Sequence, residues 1–491
     1  MPPARVRSLI ALVGILITAL LPSGAAQAQP GDANAGKVVY ERKCALCHGD
    51  KGDGKGPAAE LLRPKPRDFT TGIYKIRSTA NKTPTDQDLF TVVSQGMPGT
   101  SMPPWDVLPE KDRWNVVAYV KTFAPDRFKE APKKLDLPKE VSSSAESLRR
   151  GKEMFEAIEC NKCHGAEGRA DGPSRAELKD DWGEPIAPAN LTKRWTFRGG
   201  AGRTEIATRL ANGVLGTPMP SFIDSVEKPE DIWHVTNYIL SLGPESPRHA
   251  TLIGVTAVGG AIPDDPNAEF WKKQTASPIP LMGQVIVDPR NFNPSVDLVL
   301  VRAAYNDREI AFHLTWDDPT ESKADPDKKL FADGIALQFP PQITPGTDRP
   351  YFLMGDGSDA VYLLRWEQGK GVGELSANGP AKLTALAGSE VAGRAVFQHG
   401  QYRLVMKRPL AAAQTDRPTF RPAVFTPVVL QAWDGGAGET GTRMSLTSWY
   451  YLRLEEPQSN RRFVIPPVVA ILTLAAMLLV MRAAQRRGPR A

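Results

Sequence analysis

Cys44-Ala45-Leu46-Cys47-His48 and Cys160-Asn161-Lys162-Cys163-His164 decide how this chain of 491 residues is read. The two runs hold all four cysteines of the sequence, and each is followed by a glycine, Gly49 or Gly165. Two thiols three positions apart, with an imidazole directly after the second, form the pattern of covalent haem attachment. The thiols close thioethers on the porphyrin edge, and His48 and His164 are left under the ring as iron ligands. Zinc half-sites or a thioredoxin-like pair share the Cys spacing; the second copy, the matching glycines and the export signal described below argue against both.

The sixth iron ligand is expected to be a thioether, which paired with His raises the potential of a cytochrome c. Met102, in Ser101-Met102-Pro103-Pro104-Trp105, lies 54 residues after His48, and Met219, in Pro218-Met219-Pro220-Ser221-Phe222, lies 55 after His164. That agreement argues for a duplication. Other marks recur in register: Gly36-Lys37 with Tyr40 against Gly151-Lys152 with Phe155, and Trp114 with Tyr119 against Trp233 with Tyr238. The closing Trp–Tyr helix is expected to pack on the helix carrying the haem motif. Met97 competes with Met102 but has no counterpart in the second copy. His234 competes with Met219, but its place in the closing helix suits packing better. Arg77 and Arg198 also match between copies and are read either as partners of haem propionates or as surface charges.

These segments resemble class I cytochrome c domains over residues 31–125 and 146–243, with a proline- and lysine-bearing linker over 126–145. The resemblance implies two covalent haem c groups, held by Cys44, Cys47, Cys160 and Cys163 and ligated by His48, Met102, His164 and Met219.

Both chain ends carry targeting patterns. Residues 1–28 combine Arg5 and Arg7, an apolar run and Ala26-Gln27-Ala28, which reads as a secretory signal. Residues 463–481 contain no charge and are long enough to cross a bilayer. Arginines at 482, 486, 487 and 490 place the tail, 482–491, in the cytoplasm and the bulk of the chain on the periplasmic side of a bacterial plasma membrane. The formal net charge of +6 comes without a basic helix or clustered cations beside aromatics, so nucleic acid is not an expected partner.

From 249 to 456 the pattern changes to short β-branched and aromatic runs separated by Asp, Gly and Pro. Strands are expected over 283–287, 296–304, 309–316, 334–339, 360–366, 402–406, 428–433 and 445–454, a β-sandwich. The fold class is therefore multidomain: two all-α cytochrome c domains, an all-β sandwich and a C-terminal transmembrane helix. The strings Phe312-His313-Leu314-Thr315-Trp316-Asp317-Asp318, Asp333-Gly334-Ile335-Ala336-Leu337-Gln338-Phe339-Pro340, Tyr351-Phe352-Leu353-Met354-Gly355-Asp356 and Ser448-Trp449-Tyr450-Tyr451 resemble the haem-b-binding subunit of type II dimethyl sulfoxide reductase family enzymes, such as ethylbenzene dehydrogenase.

That resemblance implies a non-covalent haem b between a Met and a Lys, and an electron relay serving molybdenum and iron–sulfur subunits. Met354 matches the family methionine. The lysine is missing: the chain reads Gly441-Thr442-Arg443-Met444-Ser445, and an arginine does not give up its proton to bind iron, so Met444 is the remaining candidate. His313 reads as a structural imidazole, ranked below Met354.

The function expected is an electron-transfer subunit with no substrate site of its own, passing electrons to or from a soluble c-type cytochrome or the respiratory chain. The rival reading makes the sandwich a haem-free binding or docking module, with exposed Trp366, Trp433 or Trp449 stacking on a ligand. A self-contained dihaem peroxidase would need an open iron position, which Met102 and Met219 would block.

Overall fold

The structure is a computed structural model that describes residues 31–246, 249–343, 349–380, 382–456 and 461–486. The expected signal over 1–28 and the tail beyond 486 lie outside them.

The first module is built from α1 (Ala33–Lys43), α2 (Ala45–His48), α3 (Asp86–Gln95) and α4 (Glu110–Lys121). The second repeats it with α5 (Ala145–Ala157), α6 (Cys160–His164), α7 (Arg203–Asn212) and α8 (Asp231–Ser241). Local chemistry sets the helix starts. The Asp32 carboxylate accepts from the amides of Asn34 and Ala35, Thr85 and Asp88 cap α3 reciprocally, and Ser144 accepts from the amide of Ser147.

The recurring glycines are crossing points. A Cβ on Gly36 would stand 1.9 Å from the carbonyl oxygen of Asn115, and one on Gly151 2.0 Å from that of His234. Thus α1 meets α4, and α5 meets α8, backbone on backbone. Tyr40 packs edge-on to Tyr119 at 5.3 Å beside the first crossing, as Phe155 does to Tyr238 at 5.4 Å beside the second. The closing helix therefore packs on the helix leading into the attachment motif rather than on the short helix that carries it.

The linker is strapped at both ends. Thr79 bridges Lys134 and the Asn81 amide donates to the Ala131 carbonyl on one side; on the other, Trp233 Nε1 donates to Pro138 O and Asn237 Nδ2 to Val141 O.

After α8 comes the β module: β1 (Leu252–Ala257), α9 (Glu269–Lys273), β2 (Ser277–Pro280), β3 (Met282–Gly283), β4 (Leu298–Tyr305), β5 (Glu309–Asp317), β6 (Gly334–Phe339) and β7 (Val361–Glu367). It continues with β8 (Gly371–Ala377), β9 (Leu383–Ala385), β10 (Ala392–Gln398), β11 (Gln401–Pro409), β12 (Phe425–Trp433), β13 (Ser445–Leu446) and β14 (Tyr450–Leu454). The strand order is β10-β11-β5-β4-β1-β14-β12-β6-β7-β8-β9. The strand β12 belongs to both layers: Phe425–Val428 pair with β14, and Val429–Trp433 with β6. The sheet is mixed, because β1 runs parallel to both β4 and β14. Phe312, Leu314 and Trp316 face Ile335, Leu337, Phe339, Tyr362 and Leu364 across the core.

Five strands, β1, β2, β8, β9 and β10, were not expected from sequence. The last two bury almost nothing, so an edge position asks for no apolar pattern there. Two expected runs are corrected. The 283–287 run ends at Gly283, because the Gln284 side chain takes the amides of Ile286 and Val287 and turns the chain. The 445–454 run is broken, with β13 in one layer and β14 in the other.

The modules dock on one another. Lys193 of the second module is buried against Asp297 and Asp317 of the sandwich, and Asn190 Nδ2 donates to Asp317 Oδ2 at 2.9 Å. Burial works to lower the Lys193 pKa, and the two carboxylates more than reverse it. Asn293 of the sandwich bonds the backbone of Leu61 and Arg63 in the first module.

The chain ends in α10 (Arg461–Arg486), whose segment Val464–Ala483 has mean hydropathy 2.6 and is not buried against the rest of the protein. The helix continues through Pro466 and Pro467.

Inside the sandwich, the carboxylates of Asp318, Asp333 and Asp434 lie within 4.8 Å of one another, all buried. No Lys or Arg ion-pairs with them among the described residues. Burial, then the neighbouring carboxylates, pushes the pKa of Asp318 up; burial and Asp434 do the same for Asp333.

Two outcomes follow. Gly151→Ala should cost roughly 1–3 kcal/mol in thermal unfolding of the full chain, while Gly259→Ala, which meets nothing within 4 Å, should leave the melting temperature unchanged. An unchanged melt for Gly151→Ala would refute the backbone crossing. For the acid cluster the folded pKa lies above the unfolded one, so its stabilising contribution is complete below the usual Asp value of about 4 and is lost as pH rises towards neutrality. Asp333→Asn should therefore flatten the fall in melting temperature between pH 5 and 7 in chelator-containing buffer; a parallel curve would count against the assignment.

Candidate haem sites

Each attachment histidine is aimed by a backbone carbonyl. His48 Nδ1 lies 3.0 Å from Arg67 O, and His164 Nδ1 lies 2.8 Å from Ala189 O. An Nδ1–H donated to a carbonyl leaves Nε2 as the lone-pair nitrogen, the arrangement that orients an imidazole towards a metal. Burial pushes both imidazole pKa values down, which keeps the rings neutral as ligation requires. Burial also pushes the Cys44 thiol up to about 11 and the Cys160 thiol up to about 12. Thiols so shielded are not poised as thiolates, contrary to what a thioredoxin-like pair requires.

Opposite the first motif, a cleft with about 960 Å³ of open space is lined by Cys44, Cys47, His48, Phe69, Met97 and Met102. The donor set, two thiols, an imidazole and a thioether around a largely apolar cleft, fits a covalent haem.

The methionine loops are locked identically. Thr100 Oγ1 donates to Met97 O at 2.7 Å and accepts from the Met102 amide at 3.2 Å. Thr217 Oγ1 donates to Val214 O at 2.7 Å and accepts from the Met219 amide at 3.3 Å. Both loops start from a positive-φ glycine at the helix end, Gly96 or Gly213. The lock superposes Met102 on Met219 and Met97 on Val214. Its sequence trace, Gly-Thr-x-Met at 99–102 and at 216–219, was available in the repeat and was passed over.

His234 sits on α8 with Nδ1 2.8 Å from Ser147 Oγ, in the helix-packing role expected of it. The two matched arginines part company. Arg77 is buried and donates through Nε to Asn81 O and through Nη2 to Asn212 O of the second module. Arg198 lines the cleft of the first module, not its own, beside Arg67 and Lys75. The latter two were not singled out in the sequence.

In the β module Met354 and Met444 are both buried and share one cluster with Leu353, Val361, Leu363, Trp433 and Leu446. It lies on the outer face of the β6–β7 layer, where Ala336 and Leu363 point away from the main core. Met354 adopts φ +59°, a costly conformation for a side-chain-bearing residue. Its amide donates to Gln338 Oε1, which also accepts from Gln431 Nε2. Arg443 is exposed while Met444 is buried, so of the two only Met444 faces the cluster. His313 is buried, with Nε2 2.9 Å from Pro266 O and its ring stacked on Trp271; burial pushes it down to about 4. Trp366 and Trp433 are 3% and 2% exposed, which corrects the expectation of exposed stacking platforms: both indoles fill the two cores. Trp449 is half-buried and donates to Pro350 O.

Comparisons with known proteins agree module by module. Family models match at residues 31–120 (cytochrome c oxidase, cbb3-type, subunit III), 148–243 (cytochrome c) and 268–350 (ethylbenzene dehydrogenase). A haem subunit ascribed to a respiratory nitrate reductase of Haloferax mediterranei is 26% identical, over 46% of this chain and 82% of that one. The gamma subunit of chlorate reductase from Ideonella dechloratans is 24% identical, over 42% of this chain and 86% of that one. Cytochrome c-554(547) of Halothiobacillus neapolitanus is 33% identical over 19% of this chain and 98% of its own length. The chain belongs to the cytochrome c family, with two such domains fused to an ethylbenzene dehydrogenase-like β domain. It is an electron-transfer cytochrome subunit carrying covalent haem c.

Replacement of Met102 by Ala should abolish the sulfur-to-iron charge-transfer absorption of one of two haems and lower its midpoint potential, whereas Met97→Ala should leave both intact. The opposite pattern would make Met97 the ligand.

Proposed function

We propose that this chain is the membrane-anchored subunit that carries electrons between a molybdenum oxidoreductase of the dimethyl sulfoxide reductase type II family, with its iron–sulfur subunit, and a soluble c-type cytochrome or the respiratory chain. What supports this reading is the coexistence, in one chain, of two attachment motifs each followed by a methionine loop with the same threonine bonds, a β domain matching the ethylbenzene dehydrogenase family model, and similarity to a haem subunit ascribed to a respiratory nitrate reductase and to a chlorate reductase gamma subunit. Cys44, Cys47, His48 and Met102 hold one haem c, and Cys160, Cys163, His164 and Met219 the other. One-electron Fe(III)/Fe(II) cycling is the chemistry such a group supplies. The chain's own residues keep the imidazoles neutral and aimed, and Met102 and Met219 would serve as the second ligands.

In this reading α10 crosses the plasma membrane once, with the modules on the periplasmic side and the arginine-rich tail in the cytoplasm. Met354 and Met444 are the ligands proposed for a haem b in the sandwich, an unusual pair of thioethers. The dense packing around them favours a second reading, in which the sandwich is a docking module without iron.

The deciding measurement is acid–acetone extraction of the full-length, detergent-purified protein followed by pyridine haemochrome spectra. Two unextractable haems per chain are expected, together with one extractable haem b that Met354→Ala and Met444→Ala each remove. Two covalent haems with nothing extractable would sink the haem b assignment and leave a dihaem carrier; fewer than two would sink the whole reading.

A further inference from the structure

The two cytochrome modules face each other through equivalent surfaces. Gly99, in the methionine loop of the first, lies on Thr196 of the second, where a Cβ would stand 2.9 Å from the Thr196 carbonyl oxygen. Gly216, at the same place in the second loop, lies on Arg67 of the first, 2.7 Å from Nη1. Between them Arg77 Nη2 donates to Asn212 O at 2.9 Å, and Asn212 Nδ2 donates back to Arg77 O at 3.3 Å. The repeat-related arginines both sit at this interface but serve different ends. Arg77 gives Nε and Nη2 to carbonyls, and its buried Nη1 has no partner among the described residues. Among the described residues Arg198 has no protein acceptor, and it borders the neighbouring module's haem cleft.

Arg198, Arg67 and Lys75 all line that cleft, are half-buried, and form no ion pair among the described residues. They differ in this from Lys65, which is paired with Glu60 at 2.8 Å, and from Lys43, which is exposed. The Arg67 guanidinium lies 4.2 Å over the Trp182 ring of the second module, fixed without being neutralised. Burial, then the neighbouring Arg67 and Arg198 charges, pushes Lys75 down to about 7. Asp180, Asp181 and Asp68 act on Arg67 from a distance and Asp180 on Lys75, but none of them ion-pairs with the cluster among the described residues, so anions entering the cleft would stabilise these three partly desolvated cations further. The group that Cys44, Cys47 and His48 hold brings two carboxylates, its propionates, and guanidinium forks suit them.

We propose that Arg198 of the second module, together with Arg67 and Lys75 of the first, binds the propionates of the haem attached at Cys44 and Cys47, so that loading this haem also fastens the two modules together. The proposal rests on the haem c reading above. It makes the first site electrostatically dependent on a residue more than a hundred positions away in the chain. Positive charge beside the ring favours the reduced iron, so removing it lowers the potential.

The test is an optical redox titration of the full-length protein, with haem counted in each preparation and the first-module component assigned by its displacement in Met102→Ala. Arg198→Gln should lower the first-module midpoint potential, leave the second unmoved and keep two haems per chain. Arg198→Lys should restore most of the loss, and Lys75→Gln should shift the same component in the same direction. If Arg198→Gln does not accumulate as holoprotein, Lys75→Gln decides. Two haems with both midpoints unchanged, or an equal displacement of both that Lys does not rescue, would overturn the assignment alone. A wild-type protein with fewer than two covalent haems would overturn the functional reading and this assignment with it.

Discussion

Where α1 crosses α4, and α5 crosses α8, the main chains touch: the carbonyls of Asn115 and His234 occupy the space that side chains at Gly36 and Gly151 would need. The attachment motif begins directly after α1 in one module and just beyond α5 in the other, so the crossing sets where two thiols and an imidazole emerge. Everything downstream inherits that placement. The histidine finds its carbonyl, the Thr–Met lock closes from the opposite side, and Tyr40 or Phe155 seals the crossing against an aromatic of the closing helix. A single added methyl at the crossing would be transmitted to each of these, because close-packed interiors relax by displacement rather than by compression.

Much of the cytochrome architecture could be read from the chain, because covalent attachment demands invariant chemistry at fixed spacing and because a duplication supplies an internal control. The repeat favoured Met102 over Met97; the Thr100 and Thr217 bonds align Met102 with Met219 in the same way, while both Met97 and Met102 line the cleft. What the repeat could not supply was the difference between the copies. Arg77 and Arg198 are equivalent along the sequence and not in space, since one spends its donors on Asn81 and Asn212 while the other is left facing a cleft. Cross-module contacts of this kind depend on how two rigid surfaces happen to dock, and no local pattern encodes them. Arg67 and Lys75 belong to the first module itself, but nothing in the spacing of single cations along a loop marks which of them turn towards the cleft.

The β module was legible where strands are buried and illegible at its margins. The runs of β5, β6 and β7 carry the main core and were found; β9 and β10 bury almost nothing and left no apolar trace. The continuous apolar-aromatic run at 445–454 concealed a change of layer, with Ser445 and Leu446 in one sheet and Tyr450 onward in the other. The same layering explains the position of Met354 and Met444. Alternation along β6 sends Leu337 into the main core and Ala336 to the opposite side, so the outer face acquires a small core of its own, held by the Gln338–Gln431 pair.

The straps on the linker have a consequence for timing. A cytochrome pair joined by a free tether must search for its partner by rotational diffusion before each transfer, and that search slows in a thicker medium. Here the segment between the modules is bonded to the first through Asn81 and to the second through Trp233 and Asn237, and the second module is pinned to the sandwich by Lys193. With no hinge to swing, passage between the two iron sites is set by a fixed gap, and its rate should be indifferent to solvent viscosity.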